Sequence, residues 1–248
     1  MKTTKTLISV VLFLLLSGSA NAQYFRFGLT GYSGMAFGDM NYNLTTDKAY
    51  DDVIFSAGGN FEFQFVFKNN LAVGLRFDYA SYERDADAFN QSLVDRFGIT
   101  DSNYISQRAY LYSSYSTQIG ASYILSITNA FQIEPYFYMG SAWFTTPFEH
   151  TVFYNSKKNR TYTYRKDKQL YLGFHYTPGV KFQVNLGKHF GINGFVEYKG
   201  IALGDQVEET TLYSADTFIR YNTAHSYNVS ALNYGIGVNF RFGTPTAE

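Results

Sequence analysis

The sequence has no cysteine and only 4 prolines among its 248 residues, and charged residues make up just 16% of it. Without cysteine, the chain cannot be a disulfide-stabilised secreted scaffold or bind a metal through thiolates. Its 20 basic and 20 acidic residues balance, so no basic excess indicates a nucleic-acid partner. The small charged fraction and the abundance of large rings also argue against a disordered chain.

Long apolar runs are also missing. The longest, residues 7–16, is about half the roughly 20 residues that a membrane-spanning helix requires. Two lysines precede it and a small-residue segment ending in Ala20-Asn21-Ala22 follows, which is the pattern of a secretory signal peptide. We therefore expect residues 1–22 to be a cleaved signal peptide, residues 23–242 the folded domain, and residues 243–248 a short C-terminal tail.

Aromatic residues are abundant: 23 Tyr, 24 Phe and 1 Trp. They alternate with small or polar residues, most clearly over residues 61–67, where every odd-numbered position is a phenylalanine. A period of two residues puts alternate side chains on opposite faces of a β-strand. The same alternation recurs along the chain after residue 23 and predicts eight strands.

The connections between the predicted strands alternate in length. Three are tight turns near residues 68–70, 128–130 and 187–189. The others are long, over residues 40–52, 85–107, 148–168 and 201–226. Short turns at one end and long connections at the other are typical of outer-membrane barrels.

Nine charged residues fall within the predicted strands, and all lie on the face opposite to the apolar residues of their own strand. They are Arg26, Glu62, Arg76, Asp78, Glu134, Lys181, Glu197, Lys199 and Arg241. An Arg or Lys that faces lipid at the bilayer midplane destabilises a barrel by about 2–4 kcal/mol, so we expect the rings to face lipid and the charges to face the lumen. The sequence therefore predicts an all-β fold, an eight-stranded antiparallel transmembrane up-and-down β-barrel.

The predicted lumen charges are compatible with two functions. Five are positive and four are negative, and such a set is expected to pair across a narrow lumen, because an unpaired buried charge is strongly unfavourable. We therefore predict a lumen plugged by polar residues and salt bridges. The alternative is an ion-selective pore, that is, a narrow porin for small solutes.

The last predicted strand ends in Tyr234-Gly235-Ile236-Gly237-Val238-Asn239-Phe240-Arg241-Phe242. Together with the alternating strands and four long connections, it resembles the small eight-stranded outer-membrane barrels of the OmpA/OmpX type, and most closely the "outer membrane protein beta-barrel domain", PorT-like chains. The resemblance covers residues 24–242. It implies a place in the outer membrane of a Gram-negative bacterium and insertion by the barrel-assembly machinery. The residues that this machinery would read are Tyr234, Ile236, Val238, Phe240 and Phe242.

The third long connection is basic and rich in tyrosine. Its cations are Lys157, Lys158, Arg160, Arg165, Lys166 and Lys168. Alternating segments at residues 152–154 and 161–164 predict a β-hairpin above the membrane. We interpret it as a binding site for lipopolysaccharide phosphates or for an extracellular or envelope protein. The alternative is that these cations pair with the acidic second and fourth connections or with water, since exposed ion pairs contribute only about 0–1 kcal/mol.

Residues suited to catalysis are scarce. The 4 histidines have no spacing that suits a metal site, so we expect neither a metal nor a cofactor. His225 and Ser226 follow two glutamates, but adjacent residues of a strand point to opposite faces. We therefore predict a non-enzymatic outer-membrane protein with a structural, adhesion or binding role, or one that supports envelope or secretion machinery. The alternatives are a narrow porin, an outer-membrane lipid-modifying enzyme and a secreted soluble barrel of the lipocalin type.

Overall fold

The computed structural model describes residues 22–37, 40–42, 53–84, 104–108, 111–155, 159–214 and 217–243. Thirteen β-strands account for most of them. The strands are β1 (Ala22–Phe37), β2 (Met40–Tyr42), β3 (Val53–Phe67), β4 (Leu71–Arg84), β5 (Tyr104–Arg108), β6 (Tyr112–Tyr123), β7 (Leu125–Ser126), β8 (Phe131–Thr146), β9 (Glu149–Asn155), β10 (Arg160–Lys166), β11 (Gln169–Asn185), β12 (Phe190–Ser214) and β13 (Thr217–Phe242). No helix within these ranges is long and apolar enough to cross a membrane. Residues 1–21 of the predicted signal peptide and residues 244–248 of the tail lie outside the described part of the chain.

Eight of the strands close into a barrel. In ring order they are β1, β3, β4, β6, β8, β11, β12 and β13, and every neighbouring pair is antiparallel. The ring closes because β13 also pairs with β1, from Phe25 opposite Phe242 to Phe37 opposite Ser230. Closure leaves no open edge within the bilayer, where unpaired backbone groups would be costly. The prediction of an eight-stranded antiparallel barrel is confirmed.

Three tight turns lie at one end of the barrel, here called the lower end, as the short connections predict. They span residues 68–70, 127–130 and 186–189. Two of them need a left-handed backbone: φ is 65° at Asn70 and 126° at Gly187. Asparagine and glycine are the residues that adopt this conformation most readily.

The opposite end of the barrel differs from the prediction. Residues 201–226 were expected to be a long connection, but β12 and β13 continue as a paired hairpin to Ser214 opposite Thr217. Their Val-, Thr- and Tyr-containing sequence favours paired strands even above the rim, and the charges alone suggested a loop. The prediction of a loop here is wrong.

The hairpin belongs to a larger sheet, which we call the upper sheet: β2, β5, β9, β10 and residues 204–214 and 217–227. Its strand order is β2-β13-β12-β10-β9-β5. β9 and β10 form the hairpin that the tyrosine-rich third connection predicts, with Arg160 opposite Asn155. Lys166 of β10 lies opposite Thr210 of β12, which joins this hairpin to the wall of the barrel. Most of the acidic second connection, residues 85–103, lies outside the described residues.

Burial alternates along the barrel strands in the opposite sense to a soluble protein. Phe77 is 47% exposed on the outer face, whereas its neighbours Arg76 and Asp78 are 1% and 4% exposed. Rings on the outside also pack against one another across strands, with Phe27 and Phe63 at a centroid distance of 4.9 Å. The outer surface is therefore an apolar and aromatic band, and the polar side chains lie inside.

Candidate functional site

All nine charged residues that the sequence assigns to the lumen face the interior of the barrel. None of them is more than 7% exposed. The two-residue spacing of Arg76 with Asp78, and of Glu197 with Lys199, puts both members of each pair on the same face of a strand. Each of these strands therefore contributes one positive and one negative charge at the same level of the lumen.

Eight of the nine charges form four ion pairs, and each pair joins strands four places apart in the eight-membered ring. The pairs are Arg26–Glu134 (β1 and β8), Lys181–Glu62 (β11 and β3), Arg76–Glu197 (β4 and β12) and Lys199–Asp78 (β12 and β4). Strands four places apart in such a ring are diametrically opposed. The ion pairs therefore cross the full width of the lumen.

The pairs nearest the lower end are embedded in side-chain amides. Arg26 binds Glu134, and its Nε donates to Gln64 Oε1 at 2.7 Å. Gln64 in turn donates through Nε2 to the Tyr138 hydroxyl at 2.8 Å. One step further up, Lys181 Nζ lies 2.5 Å from Glu62 Oε1. These contacts link strands on opposite sides of the ring near the tight turns of the lower end.

The two central pairs form a square of alternating charge. Arg76 Nη2 lies 2.7 Å from Glu197 Oε2, and Lys199 Nζ lies 2.6 Å from Asp78 Oδ1. The square closes through longer contacts, 3.4 Å from Arg76 to Asp78 and 3.7 Å from Lys199 to Glu197. The Tyr136 hydroxyl donates to Glu197 Oε2 at 2.7 Å. Each carboxylate faces two cations, and the two positive and two negative charges of the square sum to zero.

Arg241 differs from the other eight. Its Nη2 donates to Asn185 Oδ1 at 2.7 Å and to the Phe190 carbonyl at 3.3 Å. In the part of the chain that the structure describes, Arg241 forms no ion pair, so its predicted place in a charge network is corrected. It lies beside the turn at residues 186–189, where backbone carbonyls can accept its hydrogen bonds. The remaining eight charges sum to zero.

The lumen near the upper rim is apolar, which the prediction of a polar lumen missed. We call this cluster the aromatic plug: Tyr82, Tyr112, Phe144, Tyr171, Ile201, Leu203 and Val229. The Tyr112 and Phe144 rings stack with centroids 5.8 Å apart. The sequence contained a signal for the aromatic plug. Tyr82 is an even number of residues from Arg76 and Asp78 on the same strand, so its side chain faces the lumen as theirs do. The prediction of a polar lumen holds for the layers of ion pairs. It is wrong above them, and also at the lower end, where Tyr24, Val66, Ala72 and Ile124 form a second buried apolar cluster.

A small void lies among the lower ion pairs. A void of about 10 Å³ is lined by residues that include Arg26, Thr30, Glu62 and Asn239, and this is room for about one water molecule. Above it lie the central square of charges and the aromatic plug.

His175 also lies inside the barrel. It is fully buried, with Nδ1 2.7 Å from Gln118 Nε2 and Nε2 3.2 Å from Thr177 Oγ1. Both ring nitrogens therefore have neutral partners, which is the arrangement of a packed structural histidine. Among the described residues, no group of three His, Asp or Glu side chains could hold a metal ion.

The basic residues of the β9–β10 hairpin do not form a single surface. Lys166 is 1% exposed and its Nζ lies 3.8 Å from Glu149 Oε1, so the prediction that it contributes to a binding surface is wrong. Strand alternation turns Arg165 to the other face, where it bonds the exposed Asp167 at 2.9 Å. Arg160 and Lys168 are exposed. Lys157 and Lys158 lie outside the described residues.

The predicted assembly segment lies on β13, the strand that closes the ring. Tyr234, Ile236, Phe240 and Phe242 are exposed on its outer face, and Val238 is half-buried. The ring of Phe242 meets that of Phe27 on β1 edge-on, with centroids 5.6 Å apart. Recognition of this segment by the assembly machinery stays a prediction.

No protein-family model and no curated protein matches the sequence. Solved structures do match its fold. The outer membrane protein OprG of Pseudomonas aeruginosa superimposes with a TM-score of 0.51 at 14% identity, covering 90% of this chain and 98% of OprG. The fold is that of a small outer-membrane β-barrel. Two further matches are a major outer membrane protein of Thermus thermophilus (TM-score 0.47, 11% identity, 88% and 99% covered) and Ail of Yersinia pestis (0.40, 12%, 89% and 99%).

With the apolar outer band, this fold gives the protein its location in the bacterial outer membrane. Barrels of this class have their short turns on the periplasmic side and their long connections outside the cell. The turns at residues 68–70, 127–130 and 186–189 are therefore periplasmic. The aromatic plug lies at the extracellular mouth of the outer-membrane barrel, and the upper sheet is extracellular.

Proposed function

We propose that this protein is a closed, non-enzymatic outer-membrane barrel that displays an extracellular β-sheet for adhesion or binding. The observation that carries the proposal is the combination of a filled lumen with strands that continue well above the rim. The β12–β13 hairpin alone extends from Ala202 to the Ser214–Thr217 pair. A barrel that served only to conduct solutes would need neither this sheet nor the plug beneath it.

The closed lumen favours this role over a narrow porin. Four ion pairs cross the lumen, and the aromatic plug covers them on the extracellular side. Moving a hydrated ion through would require both the separation of buried ion pairs, which costs several kcal/mol per uncompensated charge, and the displacement of the rings. In planar bilayers we expect no steady openings from the purified protein. Reproducible single-channel steps would overturn the closed-barrel proposal.

The display role is tested by shortening the hairpin. Gly204 and Tyr227 are register partners, so replacing residues 205–226 with Asn-Gly leaves a hairpin closed by a two-residue turn. We expect the shortened protein to reach the outer membrane and to keep the heat-dependent gel migration of a folded barrel. Cells that carry it should adhere less to surfaces and to other cells than cells with the full chain. Unchanged adhesion, with equal surface levels, would contradict the proposal.

The exposed cations of the β9–β10 hairpin are the proposed contact for phosphates of lipopolysaccharide or for an acidic patch on a protein partner. Arg165 is already paired with Asp167, but both side chains are at least half exposed. A pair of this kind contributes only about 0–1 kcal/mol, so a phosphate can replace Asp167 at little cost. Arg160 and Lys168 are exposed as well, and the proposed set also includes the two lysines at residues 157 and 158, which lie outside the described residues.

Neutralising these five residues to glutamine tests the contact, and Lys166 is left intact because it is buried. The matched control neutralises Lys68 and Lys188, which are exposed on the periplasmic turns. We expect only the first variant to lose salt-sensitive retention of lipopolysaccharide by the protein in detergent, because salt screens exposed charges. Equal retention by both variants and the unaltered protein would remove this part of the proposal.

A further inference from the structure

A hollow of about 460 Å³ opens on the lipid-facing surface of β1, β3, β4, β6 and β8. Its most prominent side chains are Leu29, Phe61, Phe77, Tyr79, Tyr115 and Trp143. The most exposed of them are Leu29 at 54% and Tyr115 at 56%. They stand on opposite sides of the hollow, on β1 and β6, so the outer wall carries a furrow with protruding walls.

Gly59 lines the hollow, and a second glycine adjoins it. Gly31 of β1 and Gly59 of β3 are register partners, and both fall at outward-facing positions of their strands. A Cβ atom at Gly31 would meet nothing within 4 Å. Two neighbouring strands thus lack side chains at the same level of the outer face.

The level of the hollow in the membrane indicates what fills it. Tyr79, Tyr115 and Trp143 are successive register partners on β4, β6 and β8, and the Tyr79 and Tyr115 rings lie 4.9 Å apart. Tyr and Trp rings concentrate where the acyl chains of a bilayer meet the head groups. These strands have their periplasmic turns at the far end, so this aromatic row belongs to the outer leaflet. The hollow therefore runs from the head-group level of the outer leaflet into its hydrocarbon.

The shape of the hollow favours a slender occupant. Two protein surfaces pack closely in a membrane where small residues form a flat patch. Here the small residues lie at the bottom of a furrow, and the walls would hold a second barrel away from them. A single acyl chain can enter such a furrow and contact rings on both sides, each carbon–carbon contact adding about 0.1–0.2 kcal/mol.

We propose that this hollow is a binding site for an acyl chain of an outer-leaflet glycolipid of the lipopolysaccharide type. The sugar head group lies at the level of Tyr79, Tyr115 and Trp143, whose polar ring atoms can bond to it. The chain lies over Gly59 and passes between Leu29 and Phe77 toward the middle of the bilayer. This site is independent of the upper sheet, so it can be present whether or not the sheet is adhesive.

Trp143 is the single tryptophan of the chain, so its fluorescence reports on this site alone. The full chain, purified in dodecyl maltoside, is titrated with a phospholipid that carries a spin label on its acyl chain, which quenches Trp143 on contact. Unlabelled lipid A and unlabelled phosphatidylethanolamine are then added as competitors. We expect saturable quenching, reversed by lipid A at a mole ratio about tenfold lower than by phosphatidylethanolamine, which is a difference of about 1.4 kcal/mol.

Gly31→Phe places a ring beside Gly59, where a new Cβ atom meets nothing within 4 Å, and should raise the half-saturating lipid fraction about tenfold, or about 1.4 kcal/mol. Thr117→Phe narrows the furrow from the side of β6 and should act in the same direction if the first variant does not fold. The matched control is Gly194→Phe, an outward glycine on β12 where the nearest atom to a new Cβ is 3.8 Å away. It should bind like the unaltered protein.

Three results would overturn the proposal. Quenching that rises linearly with lipid and never saturates would show only bulk contact with the bilayer. Equal displacement by lipid A and phosphatidylethanolamine would exclude a glycolipid site. A dimer in analytical ultracentrifugation that Gly31→Phe disrupts would make a second copy of the chain the occupant.

Discussion

Arg76 and Glu197 lie on diametrically opposed strands of the barrel, and their side chains meet at 2.7 Å in the middle of the lumen with exposures of 1% and 0%. They are 121 residues apart in sequence. Lys199 and Asp78 repeat the same crossing in reverse, from β12 to β4, at 2.6 Å. Two opposite walls are thus joined twice, with the charges reversed, so that the lumen-facing charges of each strand balance.

The first prediction concerns the contribution of this crossing to stability. Replacing Arg76 with Met leaves Glu197 without its closest partner, and the loss of one member of a buried pair destabilises a protein by about 3–5 kcal/mol. Urea unfolding in phospholipid vesicles, followed by the fluorescence of Trp143, measures the change. The double variant Arg76→Met with Glu197→Leu should recover most of the loss, because the charge of Glu197 is then no longer left without its partner.

The control for that experiment is the exposed pair on the upper sheet. Arg165→Ala breaks the contact with Asp167, whose side chain is 67% exposed, and should change stability by no more than about 1 kcal/mol. If Arg76→Met were as mild as Arg165→Ala, the crossing pairs would have no structural role.

The second prediction is that the lumen is closed at several levels in series. Phe144→Ala with Tyr112→Ala thins the aromatic plug, and Arg76→Ala with Glu197→Ala opens the central square of charges. Because each barrier alone blocks hydrated ions, neither pair of substitutions should produce channels in planar bilayers. All four together should still give no steady openings, because the Arg26–Glu134, Lys181–Glu62 and Lys199–Asp78 pairs continue to cross the lumen. Conductance after removal of the plug alone would show that the ion pairs do not seal the lumen.

How much of the fold and of the charge network could be predicted from the sequence depends on how far apart in the chain the interacting residues lie. The two-residue period identified the strands, and the even or odd position of a residue within its strand assigned Arg76 and Glu197 to the lumen. Both assignments depend only on the local sequence of one strand. Their pairing depends on how all eight strands are staggered around the ring. That stagger is set by turn lengths and by register shifts such as the one between Ala202 and Gly204. No short segment of sequence encodes it.

The upper part of the molecule was harder to predict for a different reason. Tyr82 and Phe144 share the parity of the lumen charges, so the aromatic plug could have been found by following parity to the strand ends. The β12–β13 extension could not have been predicted in this way, because its charged residues are equally typical of loops and of strands that project into water. Pairing with β10 and β2, which lie far away in sequence, stabilises it.

The third prediction follows from a ring that packs over a glycine. Gly179 of β11 is the register partner of Tyr136, and a Cβ at residue 179 would overlap the Tyr136 ring. Gly179→Val should push Tyr136 away from Glu197 and destabilise the barrel by about 1–3 kcal/mol, the usual range for overpacking. Urea unfolding in vesicles checks this.

Two further variants separate overpacking from a general effect of valine. Gly194→Val introduces the same side chain where the nearest atom is 3.8 Å away, and it should leave stability unchanged. Tyr136→Ala in the Gly179→Val background removes the overlap with the ring but leaves the approach to Glu197 Cβ at 2.9 Å, so Gly179→Val should cost less stability in this background than in the unaltered protein. An equal loss in Gly179→Val and Gly194→Val would mean that the contact with Tyr136 is not the cause.

The last prediction concerns assembly. Phe240 and Phe242 end the strand that closes the ring, and both rings are exposed on the outer face at 43% and 54%. If the assembly machinery reads them, Phe240→Ala with Phe242→Ala should lower the amount of heat-modifiable barrel in the outer membrane. Refolding of the same variant from urea into vesicles should be only mildly affected, because the rings are already exposed to lipid and fill no core. The matched control is Phe182→Ala with Val184→Ala on β11, where both side chains are 44% exposed but do not lie on the last strand. Equal losses in cells for the two variants would show that the final rings act through general lipid contact rather than as a signal.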